Sequence, residues 1–486
     1  MRFGVLFVIT LLIVMALAFL PYSAVQENRQ MSDYSTKASY YYWAKSYGTS
    51  GDELSYSAVR GMYNNVMVGG EISEGNYYYM WSLYLNETGE IVWQKKYNFT
   101  NSTVTKVTYF PAPGGGKFVF IGNANDGFVA LWMAAINGNL VKQTLYNTST
   151  LYLISEDATM NESGYVIVTG MAYPVGSSYS DAFVVKLTPT GDIVWQKCFY
   201  NNYSASLENV YFVDNGKCIL VGTTNPPTSY NSNYLWVLYL DADGSVIWEK
   251  VYAPPPPDDD CTDARVVQTS DGRFVVVATY EFFDVVIMKL NSFGNIIWQK
   301  LYTGFQRYTQ QSIIETSDGD LLMVGTIKNE TTGKSDISVI RLDPYGNIKW
   351  QKAYGGVNDD DIVGKSCVIE TDDGGFLICG ATTSFGKGGY DVWCIKIGPN
   401  GEIVFDDGSG AYIYDTNITV QDISMSLTSI SLPVKDVNIS PHTLNYTFED
   451  TYARAEIQAT PTYVSENIVF YLIIIVLLFA VALRKP

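Results

Sequence analysis

Trp298-Gln-Lys-Leu-Tyr302 and Trp350-Gln-Lys-Ala-Tyr354 are two copies of one phrase that recurs along the whole chain. Trp93-Gln-Lys-Lys-Tyr97, Trp195-Gln-Lys-Cys-Phe-Tyr200 and Trp248-Glu-Lys-Val-Tyr252 repeat it, and Trp43-Ala-Lys-Ser-Tyr47 is a degenerate first copy. Two further positions keep the frame without the Trp: Lys142-Gln-Thr-Leu-Tyr146, and Phe405 closing Gly401-Glu-Ile-Val-Phe405. The eight anchors, at 43, 93, 142, 195, 248, 298, 350 and 405, are separated by 50, 49, 53, 53, 50, 52 and 55 residues. Intervals this even define a repeat architecture in which each unit is one supersecondary element.

The unit ending at Trp350 shows what that element is. Residues 311–316 read as a strand and Ser317-Asp318-Gly319 as a turn. Leu321-Leu-Met-Val-Gly325 is a short apolar strand covered on both faces. Asp336-Ile-Ser-Val-Ile-Arg-Leu342 follows, then the turn Asp343-Pro-Tyr-Gly346 and a fourth strand, Asn347-Ile-Lys-Trp-Gln-Lys-Ala-Tyr354. A glycine stands four residues before nearly every anchor (Gly89, Gly138, Gly191, Gly244, Gly294, Gly346, Gly401). That constant offset assigns it to a scaffold turn needing positive φ. In the fourth strand Trp298, Lys300 and Tyr302 share one face, so the Lys stem lies along the rings. Four short antiparallel strands repeated seven times predict an all-β, seven-bladed β-propeller over residues 40–405. Trp43, Trp93, Trp195, Trp248, Trp298 and Trp350 are expected to be buried between adjacent blades. The first anchor strand precedes any complete repeat, so it is expected to close the ring as the outer edge of the last blade.

Asp373-Gly-Gly-Phe-Leu-Ile-Cys-Gly380, Tyr390-Asp-Val-Trp-Cys-Ile-Lys396 and Lys349-Trp-Gln-Lys-Ala-Tyr-Gly-Gly356 resemble the repeats of secreted bacterial and archaeal β-propeller proteins. The Gly-X-Ile-X-Trp element is similar, more distantly, to the tryptophan-docking repeat of quinoprotein (PQQ-like) propellers. The resemblance implies the fold and is nearly silent on activity, because propellers host many functions.

With 14% aromatic and only 16% charged residues, the 486-residue chain suits β structure. A net charge of −18 without a basic cluster argues against a nucleic-acid partner. Residues 1–25 (Met1-Arg2, then an apolar run from Phe3 to Leu20) read as a signal peptide or an uncleaved N-terminal anchor, and 26–39 as a linker. Ile468 to Leu483 is an apolar run without a charge, followed by Arg484-Lys485-Pro486. We read 466–483 as a transmembrane helix and 484–486 as a basic cytoplasmic tail, which places everything between the ends outside the cell membrane. Residues 406–465, rich in Thr, Ser and Asn, read as a β-type stalk. Ten glycosylation sequons fit an extracellular chain: Asn86, Asn98, Asn101, Asn147, Asn161, Asn202, Asn329, Asn417, Asn438 and Asn445. The six cysteines form no CxxC, which leaves zinc without support; Cys367, Cys379 and Cys394 fall on three strands of one repeat, where a cross-strand bridge fits.

The only histidine, His442, lies outside the predicted ring, so no Ser-His-Asp, Cys-His or His-metal site can be built within it. No catalytic residue and no cofactor site is expected, and the quinoprotein-like reading lacks its adjacent cysteines. Two acidic runs, Asp258-Asp259-Asp260 and Asp359-Asp360-Asp361, occupy equivalent connections on one face, beside variable loops containing Tyr230 and Phe385. They define a cation-binding rim for Ca²⁺ or, alternatively, solvated acidic loops. The function expected is binding, adhesion or envelope organisation toward protein or glycan partners on that loop face. A structural envelope component without a discrete ligand is the alternative. A binder should gather loop aromatics on one face; an enzyme would need carboxylates clustered in the channel.

Overall fold

The computed structural model describes residues 42–459, except 113–115, 125–126, 201–203, 226–231, 254–259, 282, 306–310, 406–408, 417, 424, 430–433, 436–439, 444–447 and 451–453. Both apolar ends, with the signal and transmembrane readings that fall on them, lie outside the described residues, as do Asp258, Asp259 and the sequons Asn202, Asn417, Asn438 and Asn445. Among the described residues there is no α-helix, and none long and apolar enough to cross a membrane.

Seven antiparallel sheets form the ring. Blade I comprises Glu53–Arg60, Val66–Glu74, Tyr77–Leu85 and Ile91–Thr100, running from the inner to the outer strand. The inner strands of blades II to VI are Ser102–Phe110, Leu151–Met160, Ala205–Phe212, Cys261–Gln268 and Ser312–Glu315. Their outer strands are Leu140–Asn147, Ile193–Phe199, Val246–Ala253, Ile296–Thr303 and Ile348–Gly355. Blade VII has a divided inner strand (Asp360–Asp361 and Val368–Glu370), then Phe376–Thr382 and Asp391–Ile397. Its outer strand is Trp43–Gly48, paired antiparallel to Asp391–Ile397 with Trp43 opposite Lys396. The N-terminal strand therefore closes the ring, and the 401–405 segment that keeps the repeat frame forms no strand.

The segment read as a stalk is instead a belt. Tyr412–Asp415, Thr419–Asp422, Ser426–Ser429, Val434–Lys435, Ser440–Thr443, Phe448–Asp450 and Arg454–Ala459 each add a fifth strand to one blade, in the order VI, V, IV, III, II, I, VII. The register advances by seven residues per blade. Lys352 faces Asp415, Lys300 faces Asp422, Lys250 faces Ser429, Thr144 faces Thr443, Lys95 faces Asp450 and Lys45 faces Ile457. In blade III, Cys198 opposite Lys435 fits the same progression. Two physical facts explain it. An outer strand left bare exposes a row of unpaired N–H and C=O groups. Sheet twist of roughly 20–25° per strand also turns each outer strand by about 60–75° from the inner one, so it runs along the rim. Seven extended residues then advance about 23 Å, the reach available from one outer strand to the next. His442 thus sits in a belt strand, opposite Leu145 on the rim of blade II.

The belt and the ring together account for the Trp, Gln, Lys and Tyr of the repeated phrase. Five of the six anchor Trp Nε1 groups donate to a carbonyl in the last turn of the next blade: Trp43 to Glu87 (3.0 Å), Trp93 to Ile136 (2.9 Å), Trp195 to Ala242 (3.0 Å), Trp248 to Ser292 (3.0 Å), Trp298 to Pro344 (3.2 Å); that of Trp350 finds no acceptor among the described residues. The Tyr hydroxyl donates to the glycine carbonyl of that turn, as Tyr252 does to Gly294 (2.6 Å) and Tyr354 to Gly401 (2.7 Å). The glycine is required twice over: Gly346 has φ +78°, and a Cβ on it would lie 2.9 Å from the Trp298 ring. The Gln holds the belt between blades. Gln351 Oε1 accepts the Ile418 N–H (3.0 Å), and Gln299 Oε1 accepts that of Met425 (3.1 Å). The Lys meets a belt carboxylate, Lys352 with Asp415 (2.7 Å) and Lys300 with Asp422 (3.1 Å). Those carboxylates are largely exposed, so each pair contributes little next to the strand ladder itself.

The anchor tryptophans depart from expectation in burial. Only Trp43 is fully buried; the other five are partly exposed, because each reaches across the rim to a surface turn. The tryptophans buried between blades are Trp81, Trp132, Trp236 and Trp393, on third strands. All six cysteines are buried thiols; Cys379 and Cys394 face each other across neighbouring strands with sulfurs 3.1 Å apart.

Candidate functional site at the channel mouth

The inner strands of blades I to V each carry a β-bulge at an equivalent place, falling at Tyr56, Thr105, Glu156, Glu208 and the pair Asp263-Ala264. An extra residue in one strand of a ladder re-aims its side chain, and such bulges gather beside functional sites. Here the innermost strands turn a ring of polar side chains toward the axis. These positions recur at 49 to 55 residues, the same period as the anchors, and that recurrence was the available signal. No motif marked them, and sequence reasoning passed over them.

Residues 362–367, which divide the inner strand of blade VII, reach across to blades I, II and III. The Ala58 N–H donates to the Ser366 carbonyl (2.8 Å), and the Lys365 N–H to that of Tyr56 (3.2 Å). Lys106 Nζ of blade II donates to Ser366 Oγ (2.5 Å), and Lys365 forms an ion pair with Glu156 of blade III. Gly364 permits the crossing, since a Cβ there would stand 2.2 Å from the Tyr56 carbonyl oxygen. Beneath the crossing, buried Asp157 accepts Asn209 Nδ2 (2.6 Å) and the Val210 N–H (3.2 Å), with Lys106 Nζ at 3.4 Å. The crossing therefore ties blades I, II and III to blade VII.

On one side of this crossing lies a funnel of about 400 Å³, with Val363 and Lys365 among its lining. The polar part of its wall is Tyr56, Glu71, Tyr78, Thr103, Thr105, Asn123, Ser155 and Glu156, with Val104 and Ile154 between them. The polar groups are pre-set. Tyr56 Oη donates to Glu71 Oε1 (3.1 Å), and Asn123 Oδ1 accepts the Ser155 N–H (2.7 Å) and Oγ–H (3.0 Å). Thr105 and Ser155 hydroxyls are 3.2 Å apart. Burial raises the Glu71 carboxyl above its usual range against the hydrogen bonds of Tyr56 and Thr103. Burial likewise raises Glu208, against the attraction of Lys365 and Arg265. The exposed tyrosines Tyr77, Tyr78, Tyr152, Tyr179 and Tyr200 stand on blades I and III at the face of the second-to-third-strand turns and the inter-blade connections. The opposite face shows Tyr63 in the first-to-second-strand turn of blade I, and Phe293 and Tyr345 singly in third-to-fourth-strand turns.

The described members of the acidic runs, Asp260 and Asp359–Asp361, bond within the chain. Asp359 binds Lys334 Nζ (2.9 Å) and the Ser335 N–H (3.2 Å), and although burial opposes its charge, these donors hold its carboxyl below the ordinary range. Asp260 accepts the Asn233 N–H (2.6 Å) at the matching place in its own repeat. Asp361 accepts from the Tyr390 hydroxyl (3.2 Å). Among the described residues no three His, Cys, Asp or Glu side chains are gathered to hold a metal ion. The sequon residue Asn329 is buried, and its Nδ2, the atom a sugar would join, donates to Asp336 (2.7 Å) and Tyr412 (3.0 Å). A larger hollow of about 670 Å³ lies between residues 327–332 and the first belt strand, beside Asp336. Asp336 there spends its oxygens on Asn329, Tyr412 and Tyr414.

Asp360 is fully buried, accepts the Gly356 N–H (2.7 Å) and Ser384 Oγ–H (2.9 Å), and burial pushes its carboxyl up to about 7. Its folded value lies above the unfolded 3.8, so between the two the folded chain holds the extra proton. Stability from this group is then full below about pH 4, falls as pH rises toward 7 and levels off beyond. Asp360→Asn is expected to flatten that part of the profile, by up to a few kcal/mol. Urea midpoints of both proteins between pH 4 and 8 test this, and parallel profiles would refute it.

No protein-family model matches the chain, and neither does any curated protein. Solved structures similar to it include a Bacteroides caccae protein of unknown function (11% identity, covering 58% of this chain and 91% of that one, TM-score 0.36). Chaetomium thermophilum Sqt1 bound to the N-terminus of ribosomal protein L10 is similar at 11% identity, 74% and 99% coverage and TM-score 0.41. The GH93 α-L-arabinofuranosidase of Fusarium graminearum with arabinobiose is similar at 12% identity, 60% and 93% coverage and TM-score 0.39.

Proposed function

We propose that the chain is a cell-surface binding module, held at the membrane by its C-terminal apolar run, that receives a partner in the funnel at the loop face. The observation that carries this reading is the funnel itself: a concavity with pre-set polar groups and exposed tyrosines around the same face. The gathering of loop aromatics is the feature expected of a binder. The tether reading is supported by Arg484-Lys485 directly after the apolar run. Ala44 opposite Ala459 also makes the strands leading to the two chain ends neighbours on one rim.

A hydrolytic reading has one observation in its favour. Glu71, protonated more readily by burial, and Glu156, paired with Lys365, line one pocket in unlike environments, as an acid and a base would.

The test is a screen of the purified full chain against glycan and envelope-protein arrays, with and without Ca²⁺, repeated with Glu71→Gln. Retained partners that the variant loses support the funnel reading. Retention indifferent to Glu71, or self-assembly without any partner, would move the assignment to a structural envelope component.

A further inference from the structure

The funnel's chemistry narrows its ligand. Lys365 answers Glu156, and Glu71 is hydrogen-bonded by Tyr56 and Thr103 while burial favours its neutral form. An ammonium or guanidinium group would have to displace Lys365 to reach Glu156 and would meet in Glu71 a carboxyl that burial inclines to neutrality, while a phosphate or carboxylate would find the one lysine already paired. What remains is a dense alternation of short-range donors and acceptors, Asn123, Ser155 and Thr105 linked at 2.7–3.2 Å. Tyr78, 39% exposed, adds a ring at the wall. Hydroxyl groups both donate and accept, so a polyol satisfies such a wall wherever it touches it. The C–H face of a sugar ring packs on an aromatic face while the phenol hydroxyl stays wet. The volume, about 400 Å³, lies in the range of roughly 300–1,000 Å³ typical of small-ligand sites, and the crossing at 362–367 makes the funnel suited to the end of a chain.

We propose that the funnel binds the uncharged terminal sugars of a glycan. This rests on the reading of the funnel as the binding site and specifies its ligand.

The experiment is titration of the full chain with a panel of neutral oligosaccharides and, separately, with a lysine-rich and an acidic peptide, each at low and high salt. Tyr78→Ala reports on the funnel, and Tyr345→Ala on the opposite face serves as control; both positions are exposed, so the fold is kept. The expected result is retention of a neutral oligosaccharide, insensitive to salt, weakened about tenfold by Tyr78→Ala and unchanged by Tyr345→Ala. Absence of any neutral-glycan binding, or binding equal in both variants, overturns the proposal. If a peptide binds in a salt-sensitive way and Tyr78→Ala loses it, the carbohydrate assignment fails while the funnel reading stands. If nothing in either panel responds to Tyr78, both fail.

Discussion

Replacing residues 412–459 by a glycine-serine linker of equal length is expected to leave a chain that no longer melts cooperatively as the native protein does. The belt supplies the outermost ladder of all seven blades, with two to five residue pairs in each. At about 0.5–1.5 kcal/mol net per hydrogen bond, the summed loss reaches the order of 10 kcal/mol, the size of a typical domain's whole stability. Burial of Ile418 and Met425 in the seams between blades adds to it. Seven bare outer edges would also become templates for intermolecular pairing. Thermal circular dichroism together with size-exclusion chromatography reads both effects. An unchanged melt with a monomeric peak would return this segment to the role of a passive stalk.

Asp157→Ala is expected to cost about 3–5 kcal/mol in chemical denaturation, because it strands a partly buried lysine and a buried amide together. Asn209 Nδ2 and the Val210 N–H lose their acceptor, and Lys106 loses the charge that steadies it beneath Ser366. The effect should exceed that of Asp157→Asn, which keeps an acceptor of the same shape. A loss below about 1 kcal/mol would mean that the crossing at 362–367 is seated by its backbone hydrogen bonds alone.

Much of this architecture is legible in the sequence because its repeat is enforced by contacts at fixed offsets. Trp298 and Tyr302 must both reach the turn that holds Gly346, and no other spacing delivers that. The degenerate Trp43 copy likewise marked the closing strand. The belt was missed for a physical reason. A strand of two to six residues lying on a sheet edge needs few apolar side chains, so Ser, Thr and Asn fill it as they would a spacer. Its signature was nonetheless present: Asp415, Asp422, Asp436 and Asp450 stand at multiples of seven, and Ile413, Val420, Leu427, Val434 and Phe448 keep the same step. The site was hidden differently. Tyr56, Thr105, Glu156 and Glu208 keep the repeat period, but their meeting at one mouth depends on how the inner strands converge, and no local motif marks that.

The pairing of Trp43–Gly48 with Asp391–Ile397 sets a timetable for biosynthesis. The first strand made must wait for a partner more than 300 residues downstream, which at about 5–20 residues per second is on the order of 20–70 s. The outer edge of blade VI is covered soon after it emerges, whereas that of blade I, finished by residue 100, stays open until residue 448 is made. The oldest edges are thus the last to be sealed. A nascent chain of this kind depends, for most of its synthesis, on whatever keeps those edges apart from their neighbours on the same messenger.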